Sequence, residues 1–349
     1  MRRIARGSMY VVMAVAGNSA AAQAQSGTNL EACRTYFLTP SAMSWPDAQA
    51  FARRVGGNLA TVRNATEQAY LNGLFLTGAT ANEAFWIGFH RTTPDGPFAW
   101  QTGDPPTYTN FNPGEPNNAC GGEPAAVMNW YINQNLGGTP GQWNDTPDNG
   151  TDAACTNAGA RPYRGIVEVA GHVAVSRPPQ DAAVCPGGAR SFMVEAVGIG
   201  PFVYRWEYQP VGADFWIPLH DGVFGARGNV DGSQTEMLRL SAILPTDAGL
   251  YRAIVTTVTD PCGPSEVTGP AAMLTVSCFT VADVASLGGA TECDGALTAD
   301  DVMAFLAAFF ANDLEVADVA RLGGAAGRDG QLTADDVVLF LSAFFAGCV

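Results

Sequence analysis

Between Gly73 and Val169 the chain runs through long stretches rich in Gly, Pro, Asn and Asp, broken only by short apolar runs such as Phe85-Trp86-Ile87-Gly88. Loops of that kind cannot hold one shape by packing alone, because they bury too little to offset the entropy of ordering them. They call for cross-links, either disulfides or a metal held by the polar side chains. Within them lie Gly114-Glu115-Pro116-Asn117-Asn118, then Glu123, then Trp143-Asn144-Asp145. If the loops fold together, the carboxylates of Glu115, Glu123 and Asp145 converge with the amide oxygens of Asn117 and Asn144. That set suits a hard cation taking about 6–8 oxygen ligands, and without a cation the carboxylates repel one another.

The rest of the composition sets the setting. The chain has 349 residues, enough for two or three domains with separate cores. Its net charge of -15 argues against nucleic acid or an anionic membrane surface as partner. Charged residues are only 15 % of the chain, with 40 Gly and 22 Pro, which favours turn-rich β structure over long solvated helices. Arg2, Arg3 and Arg6, the apolar run Met9 to Gly17, and Ala22-Gln23-Ala24 give residues 1–24 the pattern of a cleaved secretory signal. The apolar run is too short to span a bilayer, and no later segment reads as a span. The expectation is a secreted, surface-associated protein whose eight cysteines are available for disulfides.

Three segments follow. In the first, Ser44 caps a helix running through Val55 and stopped by Gly56-Gly57, and Asn64 with Glu67 starts a second helix. After Gly73 short strands are expected. From about Gly171 to Val276 strands are expected at Arg190 to Ala196, Phe202 to Tyr208, Met237 to Leu240, Gly249 to Val258 and Ala272 to Val276, the spacing of a β-sandwich. The tail is duplicated: residues 281–310 and 316–345 align without a gap at a period of 35, with 22 of 30 positions identical. Each copy ends in an amphipathic helix whose inward face is Val302, Phe305, Leu306 and Phe309, or Val337, Phe340, Leu341 and Phe344.

Residues 33–169 resemble a C-type lectin domain of the mannose-type, Glu-Pro-Asn class. The resemblance rests on the motifs above, the eight-residue step from Glu115 to Glu123, and Trp45, Ala48, Gly56-Gly57, Leu59-Ala60, Phe98, Trp100, Gly103, Tyr108 and Asn110. It implies an α+β lectin fold over 27–170 and a surface calcium ion held by Glu115, Asn117, Glu123, Asn144 and Asp145. It also implies a cis Glu115–Pro116 bond and sugar hydroxyls that complete the coordination. The Glu-Pro-Asn triplet, unlike Gln-Pro-Asp, implies sugars with equatorial 3- and 4-hydroxyls, such as mannose, N-acetylglucosamine or glucose. The family's two disulfides would need cysteines at Ala52 and Val167, and at Ala125 and Asp148, and all four are absent. Cys120 and Cys155 flank the calcium loops and are expected to brace them instead. Such a domain that binds protein or ice in place of sugar remains the other reading.

Residues 171–277 resemble an immunoglobulin-like all-β sandwich. Trp206 fits its core tryptophan, and Asp247-Ala248-Gly249-Leu250-Tyr251 fits its tyrosine corner. The usual inter-sheet cystine falls at Val194 and Ala253, so an apolar pair replaces it, and Cys185 is expected to pair with Cys262. Residues 278–349 resemble a small α-helical dockerin-like, EF-hand-derived repeat pair of the sort that ends in Gly-Cys in secreted bacterial proteins, here Gly347-Cys348. That resemblance implies a cohesin-like or envelope receptor. Asp283, Asp294 and Asp301, with Asp318, Asp329 and Asp336, are its candidate calcium ligands, although the first and third loop positions do not match. The alternative is that Thr298 and Thr333 cap helices whose Asp301 and Asp336 only favour the helix dipole.

No enzyme pattern competes. His90, His172 and His220 are scattered, and neither a nucleophile elbow nor a P-loop occurs. Glu115 and Glu123 as a glycosidase pair is the one enzymatic rival, and those carboxylates already have a metal to satisfy. The reading is therefore a calcium-dependent, glycan-binding, adhesin-like protein, against a protein-binding or purely structural surface protein. A repeat unit of about 70 residues needs a staple, so a Cys278–Cys348 disulfide is expected to close it, contributing about 4 kcal/mol. Peptide mapping of the non-reduced mature protein should recover that pair, and Cys348 found free, lipidated or joined to Cys293 would overturn it.

Overall fold

A computed structural model describes residues 25–349 apart from 94, 120–121, 151–161, 185–186, 224–227, 258–265, 277–281, 283, 286–296, 327 and 347–349. The expected signal segment, the pairs Cys120–Cys155, Cys185–Cys262 and Cys278–Cys348, and Asp283 and Asp294 lie outside the described residues. Cys33 is disulfide-bonded, and every other cysteine lies outside the described residues. The chain divides into two compact units, Met1–Ser176 with Ala196–Phe202 and Thr257–Glu266, and Arg177–Glu195 with Val203–Thr256 and Val267–Val349.

The first unit is built on strands β1 (Ser26–Asn29), β2 (Arg34–Leu38), β3 (Asn58–Leu59), β4 (Phe85–His90), β5 (Ala99–Trp100), β6 (Ala125–Met128), β7 (Trp143–Thr146) and β8 (Arg164–Ala170). Helices α1 (Trp45–Arg54), α2 (Ala65–Phe75) and α3 (Trp130–Asn133) interrupt them. The main sheet runs β1-β2-β8-β4-β6-β7, with β4 parallel to β8 and the other neighbours antiparallel. Its central strands β4 and β6 are largely apolar because both faces are covered. Phe85, Ile87 and Phe89 of β4 join Tyr36, Leu71, Phe75, Trp100 and Trp143 on one face. Trp86 joins Trp45, Ala48, Leu59, Val127 and Tyr163 on the other. Position 88, between Ile87 and Phe89, is glycine because a Cβ there would stand 2.4 Å from the Leu59 carbonyl oxygen.

The helices start where their caps predict. The Ser44 hydroxyl accepts the Asp47 N–H at 3.3 Å, and α1 ends at Val55 ahead of Gly56 at φ 86°. Asn64 Oδ1 accepts the Glu67 N–H at 2.9 Å. Helix α2 continues past Gly73, where strands were expected to begin. Gly73 faces solvent, while Leu71 and Phe75 on either side are fully buried and carry the turn. Ala52 of α1 and Val167 of β8 share one apolar cluster with Phe37, Phe51, Val55 and Val169. Asp148 is held by His90 Nε2 at 2.9 Å, and His90 stands opposite Ala125 in the sheet.

In the second unit one sheet orders Ala182–Val184, Ala272–Val276, Gly249–Thr257, Phe202–Pro210 and Ile217–Pro218, with Glu266–Thr268 beside Gly249–Thr257. A second sheet orders Arg190–Met193, Met237–Ser241, Asn229–Asp231 and Gly222–Val223. Phe192 of the second lies 5.1 Å from Tyr251 and 6.5 Å from Trp206 of the first, so the two sheets face each other. Val194 and Ala253 are buried, and the Tyr251 hydroxyl donates to the Asp247 carbonyl at 2.7 Å. The expected strand Arg190 to Ala196 is two strands, Arg190–Met193 and Glu195–Gly198. Val194 donates to the Glu236 carbonyl at 3.0 Å, and beyond it the chain pairs with Val173–Arg177 instead. The tail forms α4 (Ala299–Phe310), α5 (Leu314–Ala317) and α6 (Ala334–Ala346). The fully buried rings of Phe305 and Phe340 stack with centroids 3.9 Å apart and planes 13° apart.

One polar cluster ties the first unit together. Glu168, only 6 % exposed, accepts from Arg34 Nε at 2.5 Å, Arg63 Nη2 at 2.8 Å and the Thr61 N–H at 2.9 Å. Arg63 also meets Glu67, which accepts the Tyr36 hydroxyl at 2.7 Å. Burial, and then the Glu168 and Glu67 charges, push that hydroxyl's pKa well up. Removing one member of such a cluster leaves its partners charged and only partly solvated. Glu168→Leu should cost about 3 kcal/mol, the low end of the buried-pair range because both guanidiniums keep some water. The check is a lowered urea midpoint at unchanged m-value.

Candidate functional site

The candidate site is assembled around Asp145, which is fully buried on β7 opposite Ala126. Trp143 on the same strand fixes the neighbouring loop: it donates its N–H to the Asn110 carbonyl at 2.8 Å, and its own carbonyl accepts from Asn112 at 2.9 Å. The Glu115 N–H then closes a turn on the Asn112 carbonyl at 3.0 Å, and the Glu115–Pro116 peptide is cis, as expected. From that turn the backbone N–H groups of Asn117 and Asn118 reach Asp145 Oδ1 at 3.0 Å and Oδ2 at 2.9 Å. Asn118, at φ 47°, also accepts the Glu123 N–H on its side-chain oxygen at 3.2 Å.

Two residues absent from the sequence reading complete the arrangement. Arg91, just past the end of β4, donates from Nη2 to Asp145 Oδ2 at 2.7 Å and to the Glu123 carbonyl at 2.9 Å. Its side chain is 7 % exposed and lies 4.7 Å over the Phe98 ring. Tyr131 of α3 donates its hydroxyl to Glu115 Oε1 at 2.7 Å, where the Asn117 amide also donates at 3.0 Å. No local spacing announces either residue. Arg91 is 54 positions from Asp145, and Tyr131 is 16 from Glu115.

The electrostatics show how crowded the negative charge is. Burial pushes the Glu115 carboxyl above its ordinary range, and the adjacent Asp145 pushes it further, while the hydrogen bonds from Tyr131 and Asn117 work the other way. Tyr131 is pushed up to about 12, first by its bond to Glu115, then by burial, then by the charges of Glu115, Asp145 and Glu123. All three expected carboxylates therefore act on one phenol. Glu123 and Asn144 are buried beside them, and the Asn144 amide donates to the Asp145 carbonyl.

Among the described residues no group of three or more carboxylate, imidazole or thiol side chains stands close enough to hold a metal ion. The physical reason is visible at Asp145, whose two oxygens are turned to backbone N–H groups and Arg91. The donor set itself fits calcium: Glu115, Asn117, Glu123, Asn144 and Asp145 offer only oxygen ligands, and Arg91 pairs with one of the three carboxylates, Asp145.

The tail's candidates are used differently. Asp301 accepts the Val284 and Ala285 N–H groups at 2.9 Å and the Thr298 N–H at 2.8 Å. Asp336 repeats this with Val319, Ala320 and Thr333, all at 2.8 Å. Burial pushes the Asp336 carboxyl up, but these N–H donors outweigh it and hold it below its ordinary range. Asp318 accepts from Asp329 and Gly330, and Asp329 from Leu322 and Gln331. Of the two readings of these residues, the helix-capping one describes Asp301 and Asp336 as they stand.

Residues 41–155 match the family model described as the lectin C-type domain. This segment is a C-type lectin domain. Ladderlectin of Oncorhynchus mykiss is 33 % identical over 97 residues, 28 % of this chain and 51 % of that protein. The low affinity immunoglobulin epsilon Fc receptor of Mus musculus is 30 % identical over 112 residues, 32 % of this chain and 30 % of the receptor. The galactose-specific lectin nattectin of Thalassophryne nattereri is 29 % identical over 97 residues, 28 % of this chain and 61 % of that lectin. The chain thus spans between about a third and three fifths of the length of these relatives. The cow CD23 carbohydrate-recognition domain, solved in the presence of a GlcNAc2Man3 oligosaccharide, aligns at 23 % identity with a TM-score of 0.30 over 39 % of this chain and 87 % of that one.

Arg91 is the internal counter-charge of this lectin domain. Arg91→Met should destabilise it by about 3–5 kcal/mol, since it leaves the fully buried Asp145 without its cation. Chemical denaturation in chelator measures the loss, and added calcium should recover part of it if the carboxylates take up the ion.

Proposed function

We propose that this protein is an exported, calcium-dependent carbohydrate-binding protein of the lectin type, and not an enzyme. The observation that carries the reading is the convergence of Glu115, Glu123 and Asp145 with Asn117 and Asn144 inside a C-type lectin domain, with one guanidinium to balance three carboxylates. These five side chains would hold the calcium ion, which when bound supplies positive charge and open coordination for vicinal hydroxyls. Glu115 would accept a hydrogen bond from one sugar hydroxyl, and the Asn117 amide would donate to the next. Tyr131 and the Asn117 N–H groups keep the Glu115 carboxylate oriented, so little side-chain entropy remains to be lost on binding.

The Glu-Pro-Asn order supports mannose, N-acetylglucosamine or glucose as the sugar, whereas nattectin, one of the relatives, is named as galactose-specific. In this proposal residues 1–24 direct export, 171–277 form an immunoglobulin-like spacer, and 278–349 are a dockerin-like module that attaches the protein to a cohesin-like or envelope receptor at the cell surface. The facing sheets with buried Trp206 and the Tyr251–Asp247 bond support the spacer, and the Phe305–Phe340 stack supports a paired repeat. Among the described residues no helix is long and apolar enough to cross a membrane. A second reading, recognition of a protein surface, has one observation in its favour: a relative is named as an immunoglobulin Fc receptor.

Calorimetry decides between them. Mannose should bind with calcium present at roughly millimolar Kd, since a shallow site buries little area. Binding should vanish in chelator, and a clear preference for galactose would refute the assignment. The pH dependence has a definite sign. Glu115 has a raised pKa in the folded, ion-free protein, so its contribution to stability is present at pH below its unfolded pKa and is lost as pH rises through the folded one. Calcium needs the ionised carboxylate. Its affinity should therefore begin to fall at a pH above the ordinary carboxylate range, by up to about tenfold per pH unit below the Glu115 pKa.

A further inference from the structure

Beside the Glu115–Pro116 turn the lectin domain carries an open cavity of about 510 Å³, and of the five oxygen-bearing residues only Glu115 borders it. Its floor is aromatic. Phe89, Phe98 and Phe111 form a triangle with ring centroids 5.2, 5.6 and 6.2 Å apart. The floor is fixed from behind. Phe89 stacks on Trp100 at 4.3 Å, Arg91 lies 4.7 Å over Phe98, and Phe111 meets Trp143 edge-on at 5.5 Å. The rim is stiff, made by the exposed prolines Pro106 and Pro116, with Thr109 between the floor and solvent. Phe98 and Phe111 remain partly open although the domain has a large core that could have covered them.

The one charged residue in the lining is Glu115, which also forms a wall of the proposed sugar site. Any molecule filling the cavity therefore stands next to the sugar. We propose that the cavity receives an apolar, uncharged substituent, an aryl or short alkyl group, carried by the same sugar that Glu115 and Asn117 bind. This rests on the sugar-binding reading of that site. The chemistry selects the class. Phe98, Phe111 and two prolines, backed by the buried Phe89, offer apolar area, Thr109 offers a neutral hydrogen-bonding side chain, and the Glu115 carboxylate repels sulfate, phosphate or carboxylate substituents. With the sugar's 3- and 4-hydroxyls engaged at the ion, the substituent has to ride on O1, O2 or O6.

The test uses the full-length mature protein in calcium and compares methyl mannoside with mannosides bearing one phenyl or benzyl group at O1, O2 or O6. At least one of these should bind about tenfold tighter than the methyl compound, as expected for burying one ring. Thr109→Trp, a change at an exposed position that fills the cavity, should bring that ratio close to one. Methyl mannoside binding in the variant verifies that it is folded. If methyl mannoside binds and no aryl derivative gains, the cavity proposal alone falls. A larger gain for mannobiose than for every aryl mannoside would assign the cavity to a second sugar ring and overturn it as well. If methyl mannoside itself fails to bind, the sugar reading falls and takes the cavity proposal with it.

Discussion

A carboxylate with no access to water has to be met by donors and by opposite charge, and Asp145 states that demand at the centre of the lectin domain. It lies in mid-strand, fully buried, where an unmet negative charge would not persist in its ionised form. The chain meets it with three residues from two directions: the N–H groups of Asn117 and Asn118 from one loop, and the guanidinium of Arg91 from the end of a central strand. Each partner then places something else. Arg91 fixes the Glu123 carbonyl and covers Phe98, while Asn118 fixes the Glu123 N–H. The Asn117 position brings Glu115 under the Tyr131 hydroxyl. The loops that looked unable to hold themselves are organised around this single buried charge.

That organisation is incomplete in one respect. One guanidinium balances one of three carboxylates, and two unit charges a few ångströms apart in partly buried surroundings cost on the order of 4 kcal/mol. Set against a domain stability of about 5–15 kcal/mol, that cost is too large to ignore. A bound cation would lower it. The same excess of charge that weakens the ion-free loop is what the proposed calcium ion would neutralise.

Much of this was legible in the residues. Ser44 and Asn64 capped helices as their spacing to Asp47 and Glu67 foretold, since capping is a contact over three positions that a sequence displays directly. The oxygen donors of the site were legible for a related reason, because they cluster within short motifs. Arg91 and Tyr131 were not. They arrive through the sheet and through a four-residue helix, and an arginine after a strand has no spacing that marks it as a partner for an aspartate 54 positions on. In the tail the sequence could not choose between a cap and a calcium ligand, because an aspartate three residues after a threonine serves either role. In the structure Asp301 also accepts N–H groups from residues 16 and 17 positions upstream, Ala285 and Val284, contacts that no local spacing announces.

The positions where relatives of this fold would carry cystines have a further consequence. Ala52 and Val167 meet in an apolar cluster, and Asp148 is held by His90 across from Ala125. Packing and an imidazole–carboxylate contact occupy the places of two covalent bonds. The grip of the first helix on the sheet, and of the last loop on the fourth strand, is therefore indifferent to thiol reductants at those places. At those two places sensitivity shifts to volume changes in the core and to solvent access at the histidine, so reducing conditions act on this unit through Cys33 and leave the grip of the first helix on the sheet to temperature and packing.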